Sequence, residues 1–160
     1  MYTIGDKIVY PMHGAGIITA IEAKEILGAI QKYYVLELPI GEMQVLVPVQ
    51  NENANLRYVV TAEEMEEMEV LFLEELVPES SNWNRRYRAN MDKLKTGSFQ
   101  ETISVLAILD RRAKEKTLSS GERRMIDTAK RIAVSEIMLV CNYEELVAED
   151  WIKDKIGCEI

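Results

Sequence analysis

The chain is poor in the residues from which metal centres and nucleophilic active sites are built. Among 160 residues there is one histidine, His13, and there are two cysteines. Cys141 and Cys158 stand late in the chain, apart from each other and from other ligand types. That spacing excludes the usual zinc sites. It also argues against a disulfide framework and fits a reducing cytoplasm. No stretch approaches the roughly 20 apolar residues that a membrane span requires. Residues 1–6 have neither a basic region nor an apolar run, so no secretory signal is expected. There is no internal repeat and no low-complexity tract.

Catalytic constellations are missing as well. His13 sits in a Pro-Met-His-Gly turn with no Cys, Ser or second His beside it. Gly14-Ala15-Gly16 lacks the third glycine and the following helix of a dinucleotide loop. The pairs Glu63-Glu64 and Glu66-Glu67 fall on an amphipathic helix, where acidic residues form a solvated face. No nucleophile, base and orienting group come together. The expectation is a protein with no catalytic residues, no metal, no cofactor and no small-molecule substrate.

What the chain does have is uneven charge. Hydrophobic residues make up 48% and charged residues 29%, a globular balance, and the net charge is -8. Residues 1–79 hold 4 basic and 14 acidic side chains, a net of -10. Residues 80–135 hold 13 basic and 6 acidic, a net of +7. Residues 136–160 hold 2 basic and 7 acidic, a net of -5. A basic band between acidic flanks is the footprint of a polyanion-binding surface. Solvated helix faces would give the same asymmetry.

The pattern predicts an α+β protein. Residues 1–55 read as a small curled sheet or barrel of short strands. The expected strands are Lys7 to Tyr10, Ile17 to Glu22, Lys32 to Leu38 and Met43 to Val47, with turns at Gly14-Ala15-Gly16, Gly28 and Gly41-Glu42. The polar run Asn51 to Asn55 ends this domain. Residues 60–160 read as a compact all-α domain of about five helices. Thr61 caps the first, which carries Met65, Met68, Phe72 and Leu76 and ends at Pro78 and Glu79 to Asn82. The second runs from Trp83 to Lys95 and stops at Gly97. Capping boxes Ser98/Glu101 and Ser119/Glu122 open the third and fourth. Asn142 with Glu145 opens the last, which ends at Gly157.

The basic band has its own grammar. In Asn82-Trp83-Asn84-Arg85-Arg86-Tyr87-Arg88-Ala89-Asn90, a tryptophan and a tyrosine interleave with three arginines. Helical spacing puts Tyr87 on the side of Trp83, and Arg85 with Arg88 on another. A lone tryptophan commonly packs into a core. Here it has a second reading, as a flat surface that stacks or wedges against a base step. Arginine suits phosphate oxygens through bidentate contacts. Arg111-Arg112 and Arg123-Arg124 flank the loop from Thr117 to Gly121. The following helix start offers free amide N–H groups to phosphate. No base-reading helix stands out, so the expected DNA binding is sequence-tolerant.

These residues resemble a known family. The opening Gly5-Asp6-Lys7-Ile8-Val9-Tyr10-Pro11-Met12-His13-Gly14 is similar to that of the CarD/CdnL transcription regulators. Residues 81–90 and Leu118-Ser119-Ser120-Gly121-Glu122-Arg123-Arg124-Met125 resemble the motifs of that family's helical domain. The resemblance implies a Tudor-like N-terminal domain that docks on the RNA polymerase β subunit. It implies a helical domain that touches promoter DNA at the upstream edge of the bubble and stabilises the open complex. Trp83 matches the family's minor-groove wedge. Arg85, Arg86, Arg88, Arg123 and Arg124 are the expected DNA-binding set. Lys24 matches a basic position facing polymerase, and Leu46 stands where some relatives carry arginine. An adaptor whose helical domain recruits another protein is the competing expectation.

Overall fold

The computed structural model describes residues 1–51, 54–74 and 82–157. A five-stranded antiparallel sheet is followed by five helices among the described residues. The strands are β1 (Lys7–Tyr10), β2 (Gly14–Ile26), β3 (Ala29–Glu37), β4 (Gln44–Pro48) and β5 (Arg57–Tyr58), in the order β4-β3-β2-β1-β5. The helices are α1 (Ala62–Glu74), α2 (Trp83–Lys95), α3 (Phe99–Glu115), α4 (Ser120–Cys141) and α5 (Glu145–Ile156). This is the expected α+β architecture. The expected end of α1 at Pro78 and Glu79 to Ser81 lies outside the described residues. So do Leu76, Glu52, Asn53 and Cys158.

Several local expectations are corrected by pairing. The first turn lies at Pro11, Met12 and His13, not at Gly14-Ala15-Gly16. His13 donates its N–H to the Tyr10 carbonyl at 2.9 Å, and its ring stacks on Tyr10 at 4.2 Å. Gly14 and Gly16 are in β2, opposite Tyr10 and Ile8. Their glycines serve close approach. A Cβ at Gly14 would stand 2.8 Å from Ser135 Oγ, and one at Gly16 would stand 2.7 Å from the Glu37 carbonyl. β2 and β3 also run further than their composition suggests, because they form one long hairpin. Its two-residue tip, Leu27-Gly28, has φ of 54° and 80°. Paired positive φ suits the right-handed twist of a hairpin. The ladder carries β structure through Lys24 and Glu25, where propensity alone is weak. β5 extends the sheet past the expected domain end at residue 55.

The helix starts show which caps are real. Ser119 and Glu122 form the reciprocal capping box. Ser98 accepts from the Glu101 N–H at 3.3 Å, but its own N–H goes to Thr96 Oγ1 at 3.1 Å, so the box is half made. Asn142 does not open α5. It is the left-handed C-cap of α4, with φ of 55°, a conformation asparagine tolerates. Glu144 takes the N-cap position without a side-chain bond.

Two cores form. Ile8, Ile18, Tyr34, Leu36 and Val47 fill one side of the sheet. Leu94, Ile103, Leu106, Leu109, Met125, Ala129, Ala133, Ile137 and Ile152 fill the helical domain, with Met65 from α1. A polar seam on α4 joins the two. Arg57 grips Glu136 through both oxygens, at 2.7 and 2.8 Å, and donates Nε–H to the Gly97 carbonyl at 2.8 Å. Glu136, 1% exposed, also accepts the Val60 N–H at 2.9 Å. Ser135 Oγ accepts the Ala15 N–H at 2.9 Å and donates to the Ile132 carbonyl at 2.7 Å.

Removing one partner of a buried pair leaves the other charge uncompensated. Glu136→Ala is expected to lower unfolding free energy by about 3 kcal/mol, with Glu136→Gln costing less because it keeps one acceptor. Urea unfolding followed by circular dichroism measures this. A loss below about 1 kcal/mol for Glu136→Ala would show that the seam is not a major hold.

Candidate nucleic-acid interface

Asn82 fixes where α2 begins. Its Oδ1 accepts the Arg85 N–H at 3.1 Å, so Trp83 is the first residue of the helix. The inward side of α2 is taken by Arg86, Asn90 and Leu94. Trp83 and Tyr87, one turn apart, stack with centroids at 5.1 Å and planes at 18°. Trp83 nevertheless stays 41% exposed. It is thus neither a core residue nor a free side chain. One face is backed by an aromatic ring.

The loop before α4 closes on this pair. Trp83 Nε1 donates to Ser119 Oγ at 3.1 Å. Gly121 lies alongside the rings, where a Cβ would come to ordinary contact with a Tyr87 ring carbon at 3.4 Å and Trp83 Cζ2 at 3.7 Å. Trp83, Tyr87, Ser119, Ser120, Gly121 and Arg124 line an open hollow of about 380 Å³. An aromatic wall, an arginine and the amide end of a 22-residue helix therefore share one concavity. Such a helix end favours an anion.

Beneath it lies a buried carboxylate. Glu122 is 2% exposed. Its Oε1 accepts the Ser119 hydroxyl at 3.2 Å and the Ser119 N–H at 3.4 Å. Its Oε2 stands 3.5 Å from Arg112 Nε and 3.9 Å from Arg86 Nε. Arg86, expected on the DNA surface, is 5% exposed. The structure places it inside, compensating Glu122, because burying that carboxylate requires countercharge. Arg112 is half-buried for the same reason.

The other expected residues fall into three places. Arg85 and Arg88 are exposed on α2. Arg123 and Arg124 are exposed on the first turn of α4 and diverge. Arg124 lines the tryptophan hollow, whereas Arg123 lines a separate one of about 440 Å³ with Lys114, Lys116 and Thr117. Lys24 and Leu46 are in the sheet. Lys24 opposes Gln31 and Leu46 opposes Val35, so the register puts both on one face, with Tyr33 between them. Part of the basic band is internally engaged. Lys114 pairs with Asp110 at 3.3 Å and Lys130 with Glu149 at 3.6 Å.

Sequence reasoning missed the roles of Ser119 and Glu122 at the tryptophan. The capping box was the available signal, but it explains both residues without reference to Trp83. The Tyr87 stack was foreshadowed by its spacing. Elsewhere, burial pushes the Cys141 thiol up from its ordinary pKa, which keeps it a poor nucleophile at neutral pH. Among the described residues, no group of His, Cys, Asp and Glu is placed to hold a metal ion, and no helix is long and apolar enough to cross a membrane.

A sheet domain joined to a helical domain with this surface matches two family models. Residues 2–60 match the CarD-like/TRCF RID domain, and residues 67–153 match the CarD C-terminal domain. The chain belongs to the CarD/CdnL family of transcription regulators. It is 40% identical over 141 residues to "Putative transcription factor YdeB" of Bacillus subtilis (strain 168), covering 88% of this chain and 92% of that protein.

The two tryptophans should report their settings separately. With Trp151→Phe, the remaining Trp83 is expected to emit at an intermediate wavelength and to be quenched readily by acrylamide. With Trp83→Phe, Trp151, packed against the helical core near Phe99 at 6.5 Å, should be the more protected. Equal quenching of both would contradict the exposed, half-backed indole.

Proposed function

We propose that the protein docks on the RNA polymerase β subunit through its sheet and stabilises the open promoter complex, without catalysis. The helical domain contacts DNA at the upstream edge of the bubble. Trp83 acts as the wedge in the minor groove, and Arg85, Arg88, Arg123 and Arg124 approach the backbone. Arg86 serves from inside, as countercharge to Glu122. The observation that carries this reading is the exposed indole, backed by Tyr87 and set beside the amide end of α4 and Arg124.

The chemistry is consistent with non-specific contact. Arginine and helix-end contacts to phosphate fix position and carry no sequence information. Their affinity falls with salt. A wedge need only prefer the melted promoter. A differential of about 1.4 kcal/mol shifts that equilibrium about tenfold. Lys24 and Leu46, on one sheet face, and the open edge of β4 suit the polymerase side. An unpaired edge can take a partner strand by main-chain hydrogen bonding.

One observation favours an adaptor that recruits another protein. Tyr143, Leu146 and Val147 are exposed together around the start of α5. Open-complex lifetime with purified polymerase separates the readings. Trp83→Ala and Arg123→Ala/Arg124→Ala should each shorten the lifetime, by roughly tenfold for the tryptophan, with folding intact. Leu146→Ala/Val147→Ala should leave it unchanged. Lys24→Glu/Leu46→Glu should abolish the effect by weakening polymerase binding in a pull-down. Unchanged lifetimes for the tryptophan and arginine variants would overturn the DNA-wedge reading.

A further inference from the structure

We propose that Ser119, oriented by Glu122, is the positioning residue that presets the Trp83 indole for DNA. This rests on the reading of Trp83 as the wedge. A serine hydroxyl has one hydrogen to donate and two lone pairs to accept with. All three are in use here. The Ser119 hydroxyl donates to Glu122 Oε1 at 3.2 Å. It accepts the Glu122 N–H and the Trp83 Nε1–H, each at 3.1 Å. The hydroxyl rotor therefore has one setting. Donation to the carboxylate leaves a lone pair for the indole, so the carboxylate decides where the indole edge is held.

The contacts close into a ring. Trp83 reaches Ser119 on the α4 side, Ser119 reaches Glu122, and Glu122 faces Arg86. Arg86 lies three residues after Trp83 on α2. Arg112 of α3 approaches the same carboxylate oxygen at 3.5 Å. Three helices thus converge on one buried anion, and that anion orients the hydroxyl that holds the wedge. Tyr87 backs the ring face, while Ser119 fixes its edge. Without the edge contact, the indole would keep its stacking partner but lose its rotational setting. A wedge gains from being held in its working orientation before it meets DNA, because ordering it later would cost affinity.

Ser119→Gly separates this role from capping. Glycine is nearly as good an N-cap as serine, so α4 loses little, yet the hydroxyl is gone. Ser119→Thr restores both cap and hydroxyl. Ser98→Gly, at the N-cap of α3, controls for cap replacement remote from Trp83. The first readout is solvent exchange of the Trp83 indole N–H in a nitrogen-15 spectrum, assigned with Trp83→Phe. Exchange should be faster by about two- to tenfold in Ser119→Gly, the range expected for loss of one hydrogen bond. It should be unchanged in Ser119→Thr and Ser98→Gly. The second readout is open-complex lifetime, expected to shorten in Ser119→Gly and to recover in Ser119→Thr. Unchanged exchange in Ser119→Gly overturns the inference. So does faster exchange with an unchanged lifetime, provided Trp83→Ala still shortens it. If Trp83→Ala itself has no effect, the wedge reading fails, and this inference fails with it.

Discussion

The bidentate pair between Arg57 and Glu136 is the contact on which the geometry of the whole molecule depends. It reaches from the last strand of the sheet to the C-terminal part of α4, and Glu136 takes a third bond from Val60. Ser135, its neighbour, binds the start of β2 through the Ala15 N–H. From Glu136 back to Ser119 is about 25 Å of continuous helix, at 1.5 Å per residue. One rigid element therefore carries the sheet at one end and the tryptophan loop at the other. The seam adds directional bonds to the apolar contacts that Met12 and Ile40 of the sheet domain make with the helical core. With it, a protein docked through the sheet presents Trp83 at a fixed distance.

Burial of charge recurs along α4. Glu136 meets a guanidinium from the sheet, and Glu122 faces two from α2 and α3. Buried pairs of this kind add little net stability, since desolvation offsets their attraction. What such pairs can contribute is orientation. A carboxylate that must be compensated has few acceptable arrangements around it, and each of these two sits where one element must be aligned with another. Apolar packing at the same places would hold the helices together but would tolerate rotation of a side chain at the surface. The tight fit at Gly14 and Gly16 shows the same demand for close approach.

The regular parts of the fold were legible in the sequence. Trp83 to Lys95 is expected as a helix stopped by Gly97, and the helix is found there. Local signals failed where another element claimed the residue. Asn142 caps α4 from its C-terminal end rather than opening α5, because its left-handed backbone serves the helix already formed. Gly14 and Gly16 read as a turn, yet they are strand residues kept small by Ser135 and by the β3 backbone. β5 has only two residues, too short for any periodicity. At the site, Arg85 and Arg86 look alike in sequence. Helical spacing puts Arg86 on the stripe of the buried Leu94, and the buried Glu122 supplies the charge that an arginine there can meet. A tally of basic residues therefore overstates the charge that reaches solvent.

The uneven charge gains a physical sense from this arrangement. Residues 1–79 carry a net of -10 and the helical band carries +7. Several of that band's charges are spent on internal pairs. A free molecule would approach duplex DNA with a small cationic surface beside a larger anionic one, and long-range attraction would largely cancel. With the few backbone contacts proposed, its affinity would be low and salt-sensitive. That is useful for a regulator proposed to act only beside polymerase. Tethering raises the local concentration of the second site to the millimolar range when geometry permits both contacts. The seam on α4 is what would permit it. Under the proposed function, weak contacts would then suffice at the promoter and be insufficient elsewhere, so the location of action would follow from the tether and the rigid helix rather than from base recognition.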